Sequence, residues 1–303
     1  MRVPGPTARR TALVVLLLAG LSLAVLSLAG QWSQVRAGAR QLSAGPLVGA
    51  FVSVLASLWL AMLSWRAMLH GLGTEVPVSA AARIFFVGQL GKYVPGSVWP
   101  VVAQMELGAA YGLSRKVIGT ASLLTLGIAV PVALALGLLA VPALLSAEGS
   151  AYLLLFLALP LAAVLLSPPV LNPLLDRALR LARRQPLPQR LTGPTVLRVA
   201  VYAAGGHLLL GLQAYLLARD LGASGSLLLP LAVGAFALAS SAGVLALPVP
   251  AGAGVREAVL VVSLSPVLPV GQSLLLALVS RAILTAGDLA VAGLASRTTR
   301  TSP

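Results

Sequence analysis

The 303-residue chain is 58% apolar, carries charge on only 9% of its residues and has a mean hydropathy of +0.98. A soluble domain of this length would carry roughly 25% charged residues, so composition excludes one and makes lipid the main solvent. The net charge of +14 sits in short segments between apolar runs, a pattern of basic cytoplasmic loops lying against anionic headgroups rather than of a nucleic-acid-binding surface. The absence of cysteine removes disulfides, thiolate chemistry and Cys-ligated metals. Two distant histidines, His70 and His207, do not suggest a metal site, and no cofactor is expected.

In chain order, Arg9 and Arg10 precede an apolar run from Thr11 to about Gly30. It is longer than a signal-peptide core and lacks a clean cleavage site, so it reads as an uncleaved first helix with the N-terminus inside. A second run covers Pro46 to Met68. The stretch Thr74–Gly112, with Arg83, Lys92, Glu106 and several Gly and Pro residues, is too broken for one straight crossing. Further runs cover Val117 to about Leu145, with Pro131 as an expected kink, and Ala151 to Leu166.

The most polar segment is 172–198, with six arginines against Asp176. It reads as a basic cytoplasmic loop joining two halves, 1–171 and 199–303, of a single integral membrane domain. Helices are expected at Val199–Ala218, Leu227–Leu247 and Ser273–Leu294, with a short stretch, Val255–Leu268, before the last. The expected fold is an all-α polytopic bundle of about eight crossings, with both termini inside. Arg36 and Arg40 then fall outside, against the charge rule, and the seventh crossing is short enough to be re-entrant. Continuous Leu/Ala-rich runs argue against the alternating strands of a β-barrel.

Each half holds one interrupted segment. The first is Gly88-Gln89-Leu90-Gly91-Lys92-Tyr93-Val94-Pro95-Gly96-Ser97-Val98-Trp99-Pro100; the second is Pro248-Val249-Pro250-Ala251-Gly252-Ala253-Gly254-Val255-Arg256-Glu257. The breaks at Gly91, Pro95, Gly96, Pro248, Pro250, Gly252 and Gly254 prevent a continuous helix. At membrane depth such backbone is tolerated only when buried in protein or lining a wet cavity. Paired interruptions in corresponding halves point to a transporter site, whereas ordinary surface loops are the plainer alternative.

Charges near the breaks favour the first reading. Glu106 follows one break, Arg256 and Glu257 the other, and Arg281 and Asp288 lie within the last apolar run. Charges inside a span usually face a bundle interior. Arg281 and Asp288, seven residues apart, share a helix face about 10.5 Å apart along the axis, so a third group is expected near them. Arg256 and Glu257 point in different directions, and Glu257 is expected to pair with Arg281. A register-fixing ion pair with no substrate role remains the alternative. Lys92 and Tyr93 meet a phosphate and a headgroup or snorkel to the interface. His207 reads as a hydrogen-bonded packing residue, and Trp59, Trp65 and Trp99 as interfacial belt residues.

The first broken segment through Gly96, with the Gln104–Gly112 region, and the later Pro250–Ala258 stretch resemble signatures of the lysylphosphatidylglycerol synthase transmembrane (flippase-like) domain family. The resemblance implies a helical bundle with re-entrant elements. In two-domain members that bundle moves an aminoacylated lipid between leaflets, and other relatives are associated with lipid-linked sugar pathways. Where many members place an Arg and a Glu shortly after the first Pro-Gly, this chain has Ser97, Val98 and Trp99, which leaves the headgroup open. The sequence reads as a stand-alone member without the aminoacyltransferase domain.

The resulting expectation is a flippase-like protein of the inner (plasma) membrane, binding or translocating an anionic phospholipid or a polyprenyl-phosphate-linked sugar. Lys92, Arg256 and Arg281 would meet phosphate. Glu106, Glu257 and Asp288 would balance charge or bind a coupling proton, with Tyr93 and Gln104 beside them. The competing readings are a membrane enzyme of lipid-linked sugar synthesis, although no Asp-x-Asp pair occurs, and an accessory partner of a transferase encoded elsewhere.

Overall fold

The computed structural model describes residues 37, 40–94, 98–144, 164, 166–181, 189–246 and 252–297. Among them there is no strand. The helices are α1 (Ala44–Gly71), α2 (Val78–Gln89), α3 (Trp99–Ala109), α4 (Arg115–Gly137), α5 (Val141–Leu144), α6 (Pro168–Leu181), α7 (Gly193–Asp220), α8 (Leu228–Leu245), α9 (Val255–Leu264) and α10 (Val270–Arg297), with 3-10 turns at Leu90–Tyr93 and Leu138–Ala140. Five stretches are long and apolar enough to cross a membrane: α1, α4 through α5, α7, α8 and α10. The chain is therefore a polytopic helical membrane protein. The expected first crossing, Thr11–Gly30, and nearly all of Ala151–Leu166 lie outside the described residues.

Helix α1 and helix α7 form the main seam and run antiparallel. At one end the Ser43 backbone N–H donates to Asp220 at 2.7 Å, and the Ser43 hydroxyl donates to the same carboxylate. At the other end Gly71 faces Thr195 and Gly73 faces Gln189. Small residues let helices approach closely in lipid, where hydrophobic attraction between them is weak. A side-chain carbon on Gly211 would come within 2.4 Å of the Val233 backbone, and one on Gly234 within 2.4 Å of the Ala140 backbone.

The two ends differ in charge. Near Gly71 lie His70, Arg115, Lys116, Arg177, Arg180, Arg190, Arg198 and Arg297 against Glu75, Glu106 and Asp176; near Ser43 lie Arg40, Arg219 and Asp220. These are termed the basic and opposite faces. The expected loop 172–198 requires correction. Helix α6 reaches Leu181, and α7 starts at Gly193, ahead of the expected Val199. The Asn172 amide donates to and accepts from the Leu191 backbone, both at 3.0 Å, folding the segment back on itself.

Both interrupted regions form helical hairpins. Helices α2 and α3, of 12 and 11 residues, are each under about 20 Å long and pack against one another. They enter from the basic face, turn at Leu90–Tyr93 and return to it before α4. Close approach at the turn requires glycine, since a carbon added to Gly91 would meet the Trp99 backbone at 2.8 Å. The second hairpin enters from the opposite face. Helix α8 descends from Leu228, and α9, only 10 residues long, returns beside it to Leu264. At about 15 Å, α9 is too short to cross alone. The hairpin closes where Gly252, at φ +64°, lies against Gly243, whose Cα would sit 2.5 Å from an added carbon. Pro95, Gly96, Pro248 and Pro250 lie outside the described residues.

One tryptophan departs from the belt expectation. Trp65 is 1% exposed, donates from Nε1 to the Ser122 hydroxyl at 3.0 Å and packs on Phe85. Its indole N–H has a partner in the core, so it does not need the interface.

Candidate functional site

Helix α10 carries the charges on which the two hairpins converge. Arg281 lies eleven residues after Val270 and Asp288 nine before Arg297, about 16 Å and 14 Å from the respective ends at 1.5 Å per residue. Both therefore fall near mid-depth of a hydrocarbon layer about 30 Å thick.

The first hairpin meets Asp288. The Lys92 ammonium is 2.6 Å from Asp288 Oδ2, and the Tyr93 hydroxyl donates to the same oxygen at 2.7 Å. Asp288 is 2% exposed. Tyr93 also reaches the Thr285 hydroxyl at 3.3 Å, so further polar groups do stand near Arg281 and Asp288, gathered on the Asp288 side. The reason is geometric: Thr285 is four residues after Arg281 and three before Asp288, on one helix face.

The second hairpin meets Arg281, whose Nη1 donates to Glu257 Oε1 at 2.7 Å. The other Glu257 oxygen accepts from the Gly254 N–H at 2.6 Å, closing the first turn of α9, and Gly254 itself adopts φ +83°. One carboxylate thus fixes both the hairpin tip and its hold on α10.

Arg256 has no carboxylate of its own among the described residues. Its guanidinium lies 4.6 Å over the Phe236 ring, and its Nε is enclosed without a hydrogen-bond acceptor among the described residues. It lies within electrostatic reach of Glu257, Arg281, Asp288 and Tyr93. Three cations, Lys92, Arg256 and Arg281, therefore share one neighbourhood with two carboxylates. An aromatic face stabilises a cation without neutralising it, so one formal positive charge is left over at the meeting point.

Two expected site residues fall elsewhere. Glu106 is carried by α3 back to the surface, where Arg115 makes a bidentate bridge to it at 2.9 and 2.7 Å. The guanidinium holds its carboxyl below the usual range, chiefly through that hydrogen bond. Gln104 is buried and its Oε1 accepts from the Ser122 hydroxyl at 2.6 Å, while its stem fills the space over Gly88. It locks the first hairpin to α4 and contacts none of the charges on α10. Phe236 and Thr285 were not expected; the four-residue spacing of Thr285 from Arg281 is the signal that could have found the latter.

The model of the lysylphosphatidylglycerol synthase transmembrane region matches residues 12–292. The chain belongs to this family. The match takes in both hairpins, the four earlier candidate spans and most of α10. No curated protein matches the chain.

Proposed function

We propose that this family member is a flippase-like protein that binds a phosphate-bearing lipid headgroup between the two hairpin tips and moves it across the membrane. Arg256 carries the reading: a cation held at mid-depth on an aromatic ring, with its Nε unsatisfied among the described residues. A buried polar group without a partner is costly, and a phosphate oxygen would supply one. The headgroup would pass between the tips while the acyl chains stay in the bilayer. Lys92 and Arg281, held by Asp288 and Glu257, would take over phosphate contacts as it moves.

On this reading the membrane is the plasma membrane, with the basic face and both termini cytoplasmic, following the charge rule. The substrate is an anionic phospholipid or a polyprenyl-phosphate-linked sugar.

The test is leaflet-resolved labelling of headgroup-tagged lipid in vesicles containing purified protein. Arg256→Ala should lower the translocation rate about tenfold or more, and Arg256→Lys, which keeps a cation, should recover part of it. Unchanged translocation in Arg256→Ala and Glu257→Gln, with the protein still folded, would overturn the proposal.

A further inference from the structure

A polar cleft, separate from the charges on α10, opens at the basic end of the α1–α7 seam. Leu63, Arg66, Ala67 and His70 line it from one face of α1, Glu75 and Val76 from the following loop, and Arg198 and Tyr202 from one face of α7. Its volume is about 270 Å³, just below the roughly 300–1,000 Å³ of small-molecule sites. It suits a headgroup-sized fragment.

The chemistry is that of an anion site. Arg66 Nε donates to the Val76 carbonyl at 2.7 Å, which pins the guanidinium in the cleft and directs its remaining N–H groups away from that bond. Arg198 stands across from it, one turn into α7. Glu75, the single acid, is 3.6 Å from His70 at the rim. Two guanidiniums, one fixed in advance, and a tyrosine hydroxyl match the oxygens of a phosphate group. Leu63, Ala67 and Val76 supply an apolar floor at the level where a lipid's glycerol would lie.

We infer that this cleft is a phosphate-binding site for the headgroup of an anionic lipid in the leaflet on the basic face. It is distinct from the proposed translocation path and does not rest on it. General attraction of basic segments to anionic lipid would act through every arginine on this face, whereas a built site depends on Arg66 and Arg198.

The experiment is native mass spectrometry of the purified protein titrated with short-chain phosphatidic acid, with inorganic phosphate in a parallel titration. Protein carrying Arg256→Ala, which disables the hairpin site, should retain one equivalent of the lipid. Arg198→Gln, an exposed change with little folding cost, should weaken retention about tenfold, and Arg66→Gln should do the same. Arg177→Gln/Arg180→Gln, on α6 outside the cleft, should change it less than about twofold. Equal losses in both sets, or none in either, would overturn the site. Binding of inorganic phosphate at the same concentrations would keep the site but overturn its assignment to a lipid.

Discussion

The two hairpins are built alike and charged oppositely. The first, from the basic face, brings a cation, Lys92, to an acid on α10; the second, from the opposite face, brings an acid, Glu257, to a cation on α10. Their closures differ as well. Gly91 packs against the Trp99 backbone with side-chain support from Gln104 and Ser122, whereas Gly252 lies on the Gly243 backbone at a positive φ. Helix α10 is thus a shared spine clasped from both sides through two separate ion pairs, Lys92 with Asp288 and Arg281 with Glu257.

The largest effect is expected at the first clasp. Asp288→Asn leaves Lys92 without its carboxylate. Breaking a buried pair costs about 3 kcal/mol or more, and the lower end applies because the Lys92 side chain is 29% exposed. Unfolding in mixed micelles measures it, and adding Lys92→Met should restore much of the loss. Gly252→Ala comes next, at about 2 kcal/mol, because it combines a left-handed φ with a backbone collision. Should it unfold no more easily than wild type, the second hairpin does not close on Gly243.

Glu257→Gln should cost about 1 kcal/mol, since glutamine can still cap Gly254 and the Arg281 side chain is 32% exposed. A double-mutant cycle with Arg281→Gln isolates the pair, and its coupling should be additive with that of Lys92 and Asp288 if the clasps are independent. Smallest is Glu106→Gln, because exposed ion pairs contribute little. Its sign follows from the lowered carboxyl pKa: the Glu106 contribution is present above the ordinary carboxylate range and fades as pH falls through the lowered value. That pH dependence should vanish in Glu106→Gln.

The interruptions were legible because Gly and Pro act locally, on their own backbone. The pairing of Glu257 with Arg281 could be reasoned from the cost of charges in lipid. The partner of Lys92 could not, since Asp288 lies 196 positions away and the contact depends on how far α2 descends. Glu106 misled for a related reason. It stands close to the first break in sequence, but seven residues of α3 carry it about 10 Å back toward the surface, where Arg115 waits at the start of α4. Trp65 was misplaced because composition cannot show that Ser122 offers its indole an acceptor inside the bundle.

At 28 residues, α10 measures about 42 Å against roughly 30 Å of hydrocarbon, so it must lean or project. Both clasps ride on this one rigid rod. A change of lean draws both hairpin contacts toward the bilayer midplane or away from it together, so acyl-chain length becomes a mechanical input to the protein. Thin and thick bilayers would load the two clasps differently, without any change in sequence.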